Sequence, residues 1–155
     1  MFAILLSALA VTAPVPRCHT AGLSASLAAG SPGAGQRYAT LSLRNRGSRA
    51  CHVFGYAGLQ LLDAQRHPLP TSVVRDHATA PRSRTLRPGA RTRALLHWTV
   101  VPSAAEPQTG ACEPTPRYVE VTPPDEVKHL VIPWRLGPVC GAGRIDLTPF
   151  GRTTL

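Results

Sequence analysis

From Arg91 to Val100 the chain alternates without a break. Thr92, Ala94, Leu96, Trp98 and Val100 fall on one side, and Arg91, Arg93, Leu95, His97 and Thr99 on the other. Period two puts successive side chains on opposite faces of a β-strand, whereas a helix needs spacings of three and four. The segment therefore predicts a strand with one buried face.

The same signal recurs in shorter runs. Leu23, Ala25 and Leu27 alternate with serines, and Ala39, Leu41 and Leu43 alternate with Tyr38, Thr40, Ser42 and Arg44. Cys51 and Val53 share a face, with His52 and Phe54 on the other. Further strands are expected at Leu59–Leu62, Val73–Val74, Val119–Val121, Leu130–Trp134 and Ile145–Leu147. Turn residues separate them. Asn45-Arg46-Gly47-Ser48 reads as a hairpin-type turn, and Leu86-Arg87-Pro88-Gly89 has Pro and Gly in the order that suits a type II turn. Residues 76–84 carry no periodicity and are expected to form a loop, as is the Pro-rich stretch 102–116. About nine strands at roughly ten-residue intervals predict an all-β sandwich. Pro133 suggests an edge position or a bulge, and Trp98 and Trp134 are the natural fillers between sheets.

The four cysteines, Cys18, Cys51, Cys112 and Cys140, are an even set that reads as two disulfides in an oxidising compartment. Three pairings are open. The sequential pairing closes two loops of similar size, and in the chain-entropy picture each such closure contributes about 3–4 kcal/mol. Cys18-His19 and Cys51-His52 raise the alternative of zinc, but no CxxC spacing is present and adjacent strand residues face opposite ways. No metal or cofactor is expected. If Cys18 pairs with Cys51, His19 and His52 both turn to the opposite face, where they form a candidate weak metal or pH-sensitive site.

Residues 1–13, MFAILLSALAVTA, read as a secretory signal peptide that lacks its basic start, whether truncated or atypical. The run is shorter than the roughly 20 apolar residues of a membrane span. Residues 14–155 are then one exported β-sandwich domain, secreted or extracellular.

Seventeen basic residues against eight acidic give a net charge of +9, and every basic residue but Lys128 is arginine. Guanidinium groups are planar, bidentate donors for carboxylate and phosphate. The candidate anionic-ligand surface is Arg82, Arg84, Arg87, Arg91 and Arg93, with His97 further along the outward face. Same-face residues on a strand lie about 6.6–6.8 Å apart, so Arg91 and Arg93 suit successive anionic groups. The bland reading is a solvated basic face.

No hydrolase, metalloprotease or phosphate-loop motif occurs, so an enzyme is not expected and no catalytic residue is assigned. A secreted hydrolase would have to draw on Arg75-Asp76-His77, or on His129 with Asp125 and Glu126. Nucleic acid is not an expected partner, since only eight aromatics are present and none forms a recognised motif. The leading expectation is a non-catalytic binding module for an envelope polyanion or an acidic protein. The alternative is a structural adaptor that presents edge strands to another envelope protein.

Several of these residues also carry a resemblance. Cys18, the strand Leu41–Leu43, Asn45 and Gly47, Cys51, then Gly55, Tyr56 and Gly58 are similar to an exported actinobacterial family catalogued as domain of unknown function 4232. Leu86-x-Pro88-Gly89, Leu96-x-Trp98, Cys112, Val121-Thr122-Pro123-Pro124 and Cys140 extend the likeness over residues 17–150. The resemblance implies an immunoglobulin-like two-sheet sandwich at the cell surface or outside it, with no established activity. Unlike the lipid-anchored members, this chain has Pro16-Arg17 before Cys18, so Cys18 reads as a disulfide partner.

Overall fold

The computed structural model describes residues 10–151, and most of the expected signal peptide, residues 1–9, lies outside them. Among the described residues the ten strands are β1 (Leu23–Ala29), β2 (Gln36–Asn45), β3 (Cys51–Val53), β4 (Gly58–Leu62), β5 (Ser72–Arg75), β6 (Arg84–Leu86), β7 (Arg91–Thr99), β8 (Tyr118–Thr122), β9 (Leu130–Pro133) and β10 (Arg144–Leu147). A 3-10 turn at Thr20–Gly22 precedes β1, and a helical turn, Cys140–Gly143, precedes β10. The fold is all-β and sandwich-like. A five-stranded sheet runs β1-β2-β7-β10-β5, a three-stranded sheet runs β4-β8-β9, and β3 pairs with β6.

The alternation places the core. Ala39, Leu41 and Leu43 of β2, Ala94, Leu96 and Trp98 of β7, and Ile145 and Leu147 of β10 are all buried. They meet Leu61, Val119 and Val121 from the three-stranded sheet in one cluster. Trp98 and Trp134 are both 2% exposed, with ring centroids 5.2 Å apart. Their indole N–H groups donate to the carbonyls of Pro138 and Gly137, so each buried ring keeps its polar atom satisfied.

Cys18 is bonded to Cys51 and Cys112 to Cys140, the sequential pairing. The first bridge ties the N-terminal segment to β3. The second pins the loop after β7 to the turn before β10. Pro133 sits on β9, an edge strand of its sheet, as a missing N–H requires.

Two local expectations are corrected. Asn45-Arg46-Gly47-Ser48 is not a hairpin, because β2 pairs with β1 and β7 while β3 pairs with β6. The segment crosses between sheets, and Asn45 is buried at the crossing. Its Nδ2 donates to the carbonyls of Arg49 (2.8 Å) and Leu86 (2.9 Å), and its Oδ1 accepts the Gly47 N–H. Secondly, the expected loop ends early, since Arg84 begins β6. The turn that follows is as expected: Ala90 N–H donates to the Arg87 carbonyl and Gly89 has φ +81°.

Candidate functional site

The outward face of the five-stranded sheet carries two of the predicted arginines, Arg91 and Arg93, while Arg84 lies on β6 outside that sheet and Arg82 and Arg87 lie between strands. Arg91 and Arg93 are exposed on β7, while Thr92, Ala94, Leu96 and Trp98 point inward. In register, Arg91 lies opposite Arg44 of β2 and Arg93 opposite Ser42. Directly opposed like charges destabilise a sheet unless solvent or a counter-charge screens them. Arg44 leans onto the next turn, where its Nε donates to the Gly89 carbonyl at 3.2 Å. Arg87 is exposed in that same turn.

Arg84 joins this group through Gly151. The Gly151 N–H donates to the Arg93 carbonyl at 2.9 Å. A side chain at Gly151 would run into the Arg84 guanidinium, so Arg84 lies over this glycine. Beside them a cleft of about 220 Å³ is lined by Thr79, Ala80, Arg82, Arg84, Pro149, Phe150 and Gly151. Phe150 is buried and adds an apolar part to a lining that also holds Arg82 and Arg84. Among the described residues, none of Arg82, Arg84, Arg87, Arg91 or Arg93 has a carboxylate within ion-pair distance; the arginines so paired are Arg17 and Arg144.

His97 belongs to a different row. It stacks on Tyr38 at 4.7 Å, its Nε2 is 2.7 Å from Gln36 Oε1, and its Nδ1 is 3.7 Å from Asp146. Asp146 in turn accepts from Arg144 at 2.9 Å. The row is satisfied internally, so His97 is not part of the unpaired arginine group.

The other sequence candidates have structural partners. Asp76 caps its own turn by accepting the Ala78 N–H, while Tyr56 donates to the Asp76 carbonyl and lies under Arg75. His129 pairs with Glu120 at 3.4 Å rather than with Asp125 or Glu126. Glu126 instead fastens the N-terminal segment: it accepts from the Thr20 N–H and hydroxyl and meets His19 and Arg17. The Thr20 N–H, with help from His19, holds its carboxyl below the ordinary range. His52 Nδ1 lies 2.9 Å from the Val15 carbonyl, so the two histidines engage separate partners. No group of three potential metal ligands forms among the described residues.

Glu106 is a second acidic anchor, and sequence reasoning passed over it. Its carboxylate accepts the N–H groups of Ser103, Gly141 and Ala142, which hold its pKa down to about 2, led by Ala142. Gly141 and Ala142 have left-handed backbones, which turn successive N–H groups toward one anion. Glu113 is shifted up, by burial first and then by Glu106 beside it.

The family model DUF4232, described as a domain of unknown function, matches residues 18–151. The chain belongs to that family. The matched region of this DUF4232 domain includes all four cysteines, the buried Asn45 and the arginine face. No curated protein and no solved structure matches the chain. No helix among the described residues is long and apolar enough to cross a membrane.

Proposed function

We propose that this DUF4232 protein is a secreted, non-catalytic binding module of the extracellular space or cell envelope, and that it takes anionic ligands on the Arg84, Arg91 and Arg93 face. One observation carries the reading. Among the described residues, Arg84 of β6 and Arg91 and Arg93 of β7, with Arg44 opposite Arg91 and Arg82 beside Arg84, have no carboxylate within ion-pair distance. Unpaired, mutually repelling guanidinium groups are stabilised when an anion arrives. Two disulfides suit an oxidising compartment.

The test uses long-chain polyphosphate as the polyanion. The wild-type chain should bind it, and Arg91→Gln/Arg93→Gln should weaken binding about tenfold. Equal binding by both would overturn the reading. Peptide mapping of culture medium from the native host tests export: a mature chain starting before Cys18, with both bridges, is expected. Retained Met1 with four free thiols would contradict it.

The adaptor reading has one observation in its favour. Edge strand β1 carries neither proline nor charge to block pairing, and a cleft of about 320 Å³ lies between it and β9. Capture of a single stoichiometric envelope protein, lost when Ala25→Pro blocks the edge, would favour it.

A further inference from the structure

A second basic site lies on the outer face of the three-stranded sheet, remote in sequence from Arg84, Arg91 and Arg93. Arg117, just before β8, and Arg135, just after β9, are both exposed and line a cleft of about 390 Å³ with Ala64, Tyr118, Pro133 and Trp134. Tyr118 and Pro133 are register partners, so their rings stand side by side on the outward face. Val119 and Val121, the alternate residues of β8, are buried.

A third cation is brought to the Tyr118 ring, beside that cleft, by the turn after β4. The Asp63 carboxylate accepts the N–H groups of Gln65 and His67, and this tight turn forces Arg66 to φ +64°. A left-handed backbone is unfavourable for a residue with a side chain, so the turn must fix it. The outcome is that the Arg66 guanidinium sits over the Tyr118 ring, 5.1 Å from its centroid. Asp63 faces His67 at 3.3 Å and Glu120 faces His129 at 3.4 Å, so neither carboxylate is ion-paired with these arginines. Among the described residues, Arg66, Arg117 and Arg135 have no ion-pair partner.

We infer that this cleft binds an acidic polysaccharide, with sugar rings against Pro133 and the part of Tyr118 that Arg66 leaves open to the cleft, and their acidic groups on Arg117 and Arg135. Flat rings bury the apolar faces of sugars, and guanidinium planes match carboxylate or sulfate oxygens. A protein strand is the poorer occupant, because strand addition at β9 needs an N–H that Pro133 lacks. The inference stands on its own residues and does not require the β7 face to bind anything.

The experiment is an NMR titration of the full chain, following the Tyr118 ring and the arginine Nε signals. The probes are a galacturonic acid hexamer, dextran sulfate, neutral dextran and hexaglutamate. The acidic saccharides should give saturable shifts at Tyr118, Arg117 and Arg135, with one or other preferred according to whether carboxylate or sulfate is the natural group. Arg117→Gln/Arg135→Gln should weaken binding at least tenfold, and Arg66→Gln about threefold. Arg91→Gln/Arg93→Gln should leave these shifts in place, which separates this cleft from the polyphosphate site. No shift at these residues with either acidic saccharide would overturn the inference, as would equal shifts with neutral dextran or hexaglutamate. If the double variant fails to fold, the wild-type map and Arg66→Gln decide.

Discussion

Replacing Asn45 with alanine removes the side chain that joins three segments. Asn45 is 2% exposed, and its amide bonds β2 to the crossing segment through Arg49 and Gly47 and to β6 through the Leu86 carbonyl. The Arg49 carbonyl and Gly47 N–H lie on exposed residues, where water replaces a lost partner at little cost. The Leu86 bond is buried, and an abandoned buried acceptor costs about 1–3 kcal/mol. Lost net hydrogen-bond energy and the small void add about another 1 kcal/mol, giving a total of about 2–4 kcal/mol. Asn45→Asp should cost at least as much, because a carboxylate faces two carbonyl oxygens where the amide donated. Urea unfolding with both disulfides intact checks this: the midpoint should fall with the slope unchanged. A loss below about 0.5 kcal/mol for Asn45→Ala would refute the argument that this amide holds β6 onto the sheet.

Three further outcomes follow from other sites. Gly143 has φ +76° and a Cβ there would fall on the Pro70 carbonyl, so Gly143→Ala should cost more than about 2 kcal/mol by thermal unfolding, whereas Gly137→Ala, also at positive φ but with open space, should cost about 1 kcal/mol. The Thr92 hydroxyl is buried with no partner among the described residues, so Thr92→Val should stabilise by about 1 kcal/mol in the same assay; a loss would show that the hydroxyl is satisfied. Glu106 is held down to about 2 from an ordinary 4.5 in the folded chain, so its contribution is complete above the ordinary value and is lost as pH falls through about 2. Amide exchange at Gly141 and Ala142 should therefore speed up across that window, relative to global opening, and Glu106→Gln should show the fast behaviour already at neutral pH.

The strands were legible wherever period two ran for several residues, and β7 is the clearest case because four of its inward positions are buried as the pattern requires. β6 was hidden because it is three residues long and only Leu86 is buried. Asn45 and Gly47 have the composition of a turn, and that chemistry is shared by an exposed hairpin and a buried crossing. Only the pairing of β3 with β6 separates the two. Arg91 and Arg93 were readable as one face, yet their proximity to Arg44 depends on strand register, and their link to Arg84 depends on Gly151. The Tyr118 cleft left no local trace. Its two arginines come from separated segments, and the residue that positions Arg66 over Tyr118 is an aspartate in an ordinary-looking turn.

The most direct test of the central claim is the salt dependence of polyphosphate binding by the β7 face. Exposed charges are screened beyond about 8 Å at physiological ionic strength, so an arginine-carried interaction must weaken steeply as salt rises. Affinity is expected to fall by at least tenfold between about 0.05 and 0.5 M salt, with a shallower slope in Arg91→Gln/Arg93→Gln. Binding that ignores salt, or a slope unchanged by the double substitution, would contradict the account.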